Sequence, residues 1–151
     1  ARFAEPPADR AEGTVRAWLA SHIDAGPYAY VANDAEGARY LFAPRWQDLL
    51  TGDAIRVWVR TEFFNPQLHD ALTYRSINTL KDFDCKERRV RDLAADAYPL
   101  LNLQGEVHSE DAQAPRWRYL RLGDVERDEL RAACALRETR RVEQAKAMIG
   151  D

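Results

Sequence analysis

The sequence predicts an α+β domain built on an antiparallel β-sheet of about six strands, with an amphipathic helix before it and a C-terminal helix after it. Three observations predict this class. Segments of strand character follow one another from Tyr28 to Leu122 through short turns, without helices between them. Helical spacing of apolar residues occurs only near the two ends. A chain of 151 residues that is 46% hydrophobic and 31% charged is one soluble globular unit with a buried core.

The Pro-rich "ARFAEPPADR" reads as an extended lead. Val15, Trp18, Leu19, His22 and Ile23 then recur at helical spacing, which predicts a helix over about Glu12 to Asp24, stopped by Gly26-Pro27. "YAYVAN" and "ARYLFA" flank the turn "DAEG" and predict a hairpin, whereas "PRWQDLLTGD" breaks the pattern. In "AIRVWVRTEFF", apolar Ile55, Val57, Val59 and Phe63 alternate with Arg56, Trp58, Arg60 and Glu62. "NPQLHDA" reads as a loop, and "LTYRSINTLKDFDC" as a long strand, bent or bulged. "RRVRDLAADAY", "EVHS" and "RWRYLRL" supply further strands. Gly123-Asp124 then opens a helix from about Val125 to Ile149, with acidic residues in its first turns and Gly150 ending it.

Charge excludes several functions. The net charge is −3, and the basic run Lys86, Arg88, Arg89, Arg91 is interleaved with Asp82, Asp84, Glu87 and Asp92. No nucleic-acid partner is expected, because phosphate binding needs a basic excess. Alternation instead puts Arg88, Val90, Asp92 and Ala94 on one face of a strand, with Arg89, Arg91 and Leu93 on the other, the arginine tips in solvent. No run of 18 apolar residues exists, so no membrane-spanning helix is expected. The three histidines, His22, His69 and His108, have no metal-ligand spacing, and His22 reads as a satisfied residue on the first helix. No P-loop, dinucleotide fingerprint or nucleophile elbow is present. Neither a metal nor a cofactor nor a catalytic residue is assigned. The enzymatic alternative is a small periplasmic hydrolase or transferase with a site near His69, His108 or the pair Asp82/Asp84. A carrier holding a small molecule against Trp58 and Tyr74 is a third reading.

The two cysteines, Cys85 and Cys134, fit either one bridge or two buried thiols on composition alone. The residues around them carry a resemblance. "ARYLFAP", "GDAIRVWVRTEF", "YRSINTLKDFDCKERRVRDL" and "RWRYLRLGDVERDELRAACAL" occur in the order of the strand, turn and helix segments of the surface-adhesin E family of bacterial envelope proteins. Most characteristic is a strand closing on Asp-Cys before a basic strand, matched later by a helix carrying Ala-Cys. The resemblance covers about residues 28–136. It implies an exported domain whose C-terminal helix is tied to the sheet by a Cys85–Cys134 disulfide. It also implies a periplasmic or outer-membrane location and a removed signal peptide.

The expected organisation is a lead and helix (1–27), the adhesin-like domain (28–136) and a helical extension (137–151). The expected function is non-enzymatic binding of protein partners, as a subunit of an envelope assembly or as an adhesin for host matrix proteins; an oligomer is compatible with it. The extension supplies the candidate surface. Past Leu136 a stripe of Val142, Ala145, Met148 and Ile149 appears, rimmed by Arg137 and Arg141. Either it packs back on the first helix through Trp18 and Leu19, or it docks in a partner's groove.

Overall fold

The computed structural model describes residues 4–44 and 52–150. The expected break at "PRWQDLLTGD" lies mostly outside the described residues.

The order of elements is α1 (Glu12–His22), β1 (Ala29–Asn33), β2 (Gly37–Phe42), β3 (Ala54–His69), β4 (Leu72–Asp84), β5 (Arg89–Tyr98), β6 (His108–Asp111), β7 (Arg118–Tyr119) and α2 (Val125–Ile149). Among the described residues the sheet has seven strands, all pairs being antiparallel. Strands β1 to β6 lie side by side in chain order, and β7 pairs with β5 beyond the end of β6. The fold class is the expected one, with α1 two residues shorter than its apolar pattern suggested.

The helices take opposite faces of the sheet. Leu41, Val57, Val59, Ile55, Phe83 and Val90 form one core with Leu130 and Ala133 of α2. Ala38, Tyr40 and Phe64 form a second core with Val15, Trp18 and Leu19 of α1. Adjacent strand residues such as Tyr40 and Leu41 point to opposite sides, so each helix reads one parity of the same strands. His22 stacks on Trp18 at 4.5 Å and its Nδ1 meets the Trp18 carbonyl, as expected of a satisfied helix residue. At the β1–β2 turn the Asp34 carboxylate accepts the Glu36 and Gly37 N–H groups. A Cβ on Gly37 would stand 2.2 Å from the Glu62 carbonyl oxygen, so only glycine lets β2 approach β3 there.

Two local expectations are corrected. "NPQLHDA" is not a loop: β3 continues to His69 and turns back through Asp70 and Ala71, both at positive φ. A register shift between Glu62 and Gln67 accommodates Pro66, which cannot donate to a ladder. The buried Arg75 guanidinium supplies donors to the Phe63 and Phe64 carbonyls at that shift and to Ala4 in the N-terminal lead. Second, Ala94 does not share a face with Val90 and Asp92. Asp92 pairs with Lys81 and Ala94 with Leu80, because a bulge at Leu93 inverts the alternation.

Candidate functional site

Helix α2 is fixed at three levels. Its first turns carry Glu126 and Glu129, which receive the Lys81 ammonium at 2.9 and 2.8 Å. Glu126 also takes a two-pronged hydrogen bond from Arg118 on β7. Burial alone would raise the Glu126 carboxyl, yet the hydrogen bonds from Arg118 and the Lys81 charge override it and hold the pKa at about 2. The same pairing outweighs burial at Lys81, whose ammonium is held above its usual value. In the middle of the helix, Cys134 is bonded to Cys85 of the β4–β5 turn, with the Cα atoms 5.8 Å apart. Further on, Arg137 donates to the Gly52 carbonyl at 2.6 Å, and Arg140 donates to the Ala43 and Pro44 carbonyls.

Beyond Arg140 the helix leaves the body. Residues 141–150 are all exposed, and Val142, Met148 and Ile149 are 45%, 87% and 84% accessible. The packing alternative is therefore absent, since Trp18 and Leu19 are buried with α1 on the other face of the sheet. Of the sequence-derived candidates, Val142, Ala145, Met148 and Ile149 lie on this projecting end. Arg141 lies there too, 3.7 Å from Glu138, whereas Arg137 serves the anchorage.

The aspartates of the hydrolase reading do not join its histidines. Asp82 is fully buried and pairs with Arg56 at 2.8 Å and Arg91 at 2.9 Å, while Asp84 pairs with Arg89 and accepts the Lys86 and Glu87 N–H groups of the following turn. Burial opposes the Asp84 charge, but these donors hold its carboxyl below the usual range. Both aspartates are consumed by arginines. Arg89 and Arg91 share a face, as expected, but their guanidinium groups stack on Trp117 at 4.8 and 4.4 Å rather than standing free in solvent. Among the described residues no group of three or more side chains is arranged to hold a metal ion.

His69 and His108, 39 positions apart by their numbering, do come together in one groove of about 540 Å³ at the far end of the sheet. Ile77, Ala97 and His108 form one cross-strand row of its lining, and Ala95 and Glu110 belong to the next. Tyr74, Tyr98, Pro99, Val107 and Glu106 complete its walls. Each imidazole has a carboxylate at 3.3 Å, Asp70 for His69 and Glu110 for His108, and both pairs are well exposed. Asp82 and Asp84 do not line this groove. What sequence reasoning missed here is the floor. The small residues in "LAADAY" leave the room, and only the pairing of β5 with β6 reveals which of them share a face with His108.

The fold, an antiparallel sheet with one helix on each face, also occurs in solved structures. Two structures of Haemophilus influenzae protein E match at 12% identity. Each alignment covers 89% of this chain and 92% or 97% of the other, with TM-scores of 0.53 and 0.55. A third, a selenomethionine form, matches at 13% identity with a TM-score of 0.52, covering 89% of this chain and 95% of that one. No curated protein sequence matches significantly. The family model for surface-adhesin protein E matches residues 30–135, and the chain belongs to that family. The expectation drawn from the Asp-Cys and Ala-Cys segments thus holds for the family, the fold and the disulfide.

Proposed function

We propose that this protein is a non-enzymatic, exported module of the bacterial cell envelope that binds other proteins, as a subunit of an envelope assembly or as an adhesin for host matrix proteins. The observation that carries this reading is the projecting end of α2. An apolar stripe held clear of the body after three separate anchorages is suited to a partner's groove, in which Val142, Ala145, Met148 and Ile149 would be buried and Arg141 would stand at the rim. Family membership and the bridge support a periplasmic or outer-membrane setting, since disulfides persist in oxidising compartments. The pairing of the buried Asp82 and Asp84 with arginines weighs against the hydrolase or transferase alternative.

Crosslinking in the native envelope followed by affinity capture tests the reading, with the full chain compared against a chain truncated after Arg141. That cut spares Arg137 and Arg140, so melting should move by no more than about 2 °C while the crosslinked partner is lost. Unchanged capture by the truncated chain would remove the role of the helix end.

A further inference from the structure

The groove at the far end of the sheet runs beside a free edge. Strand β6 pairs with β5 on one side, and among the described residues no strand pairs with its other side. The opposite edge, β1, is by contrast packed against α2. Every residue of β6 is exposed. The Ala112 N–H donates to the Leu93 carbonyl, and the register continues as Ala95 opposite Glu110 and Ala97 opposite His108. In an antiparallel ladder inward-bonded pairs alternate, so Glu110 and His108 bond inward. The peptide groups of Ser109 and Asp111 therefore point outward, without a hydrogen-bond partner among the described residues.

Both faces of this edge are acidic. Glu106 and Glu110 line the groove, and Ser109 on the other face holds Asp96 at 2.7 Å, with Asp111 next along the strand. No lysine or arginine is among the described residues lining the groove. Its floor of Ile77, Ala95 and Ala97 between Tyr74 and Tyr98 is apolar enough to carry the methylene stem of a long cationic side chain whose head reaches Glu106 or Glu110. A small cation would use the acids and the floor but would leave the outward backbone groups unpaired. An extended chain lying about 4.8 Å outside β6 uses all three.

We propose that the outer edge of β6 accepts an additional strand from a protein partner, an extended segment alternating lysine or arginine with apolar residues. The edge supplies main-chain hydrogen bonds, the groove takes every second side chain, and Glu106, Glu110 and Asp111 select for positive charge. The inference rests on the protein-binding reading only in taking the partner to be a protein, and it uses a surface separate from the end of α2.

The test is titration of the full chain with a fluorescent, capped eight-residue peptide alternating lysine and valine, against a glutamate–valine peptide of the same length. The lysine peptide should bind roughly tenfold or more tightly than the glutamate peptide, and Glu106→Gln with Glu110→Gln should remove most of that difference. Ser109→Pro deletes an outward N–H without touching the β5–β6 ladder and should weaken binding about tenfold, whereas Ser109→Ala should not. N-methylation of alternate peptide bonds in the ligand should abolish binding to the unaltered protein, which keeps the result independent of how the proline variant folds. Truncation after Arg141 should leave peptide affinity unchanged, so loss of this site and loss of the helix site are distinguishable. Equal affinity for the two peptides, or no binding of the lysine peptide, would overturn the proposal. So would binding that survives both N-methylation and Ser109→Pro and is displaced by hexylammonium, which would assign the groove to a small organic cation.

Discussion

Replacing both Cys85 and Cys134 by alanine removes a cross-link that closes a loop with a sequence separation of 49. In the chain-entropy description a closure of this length restricts the unfolded ensemble by about 4 kcal/mol at 25 °C. The native state gives little of this back. Leu130 and Ala133 remain buried, and the Lys81–Glu129 and Arg137–Gly52 contacts hold α2 on either side of the missing bond. The variant should therefore fold, keep its helix and sheet content, and lose about 4 kcal/mol, which for a domain of this size lowers melting by roughly 8–16 °C. Urea unfolding followed by Trp fluorescence and circular dichroism measures the loss. The slope with urea should also rise, because the uncrosslinked denatured chain is more expanded. A loss below about 1 kcal/mol, or an unchanged slope, would refute the assignment of the stabilisation to the unfolded state.

Glu126, held at about 2, contributes stability that is fully present above its ordinary value of 4.5 and is lost as pH falls from there towards 2. Acid titration of stability should show a limb of roughly 3 kcal/mol that Glu126→Gln flattens; a limb unchanged in that variant would contradict the pairing. Glu62 has the opposite sign. Burial, first among its influences, raises its carboxyl despite the Asn102 N–H and Arg60, so its contribution is greatest at low pH and diminishes as pH rises through the raised value. Arg75→Met should cost roughly 3 kcal/mol, since the Phe63, Phe64 and Ala4 carbonyls lose a buried donor; a loss under about 1 kcal/mol in urea unfolding would mean that solvent reaches the β3 register shift.

Elements whose pattern is local were readable from the sequence. Val15, Trp18 and Leu19 give α1, the alternation through Ile55, Val57 and Val59 gives the central strand, and Gly150 ends α2. The cysteine pair was readable only through the family resemblance, because composition supports bonded and free thiols equally. The unread features depend on partners far along the chain. Asn65 to His69 have loop composition, yet they extend a strand because Arg75 supplies the donors that the register shift requires. Lys81 and Glu129, separated by 48 positions, look like solvated charges until the fold buries them together. The groove is a further step removed, since the bulge at Leu93 decides which residues of β5 join His108 and Glu110 on one face.

The Cys85–Cys134 bond also sets how the molecule carries load. Tension applied between its two ends enters α2 from one side and reaches Cys134, where it crosses the covalent link to Cys85 and bypasses the chain between. The intervening stretch, closed by a sequence separation of 49, holds β5, β6 and β7, and it cannot be drawn out while the link is intact. Roughly 170 Å of contour is thereby withheld from extension. Under pulling the chain can pay out only from the strands before Cys85 and from the helix tip, so β5 and β6, with Glu106 and Glu110, carry no tension along their own chain, whereas the groove wall from β3 and β4 lies in the part that can be peeled.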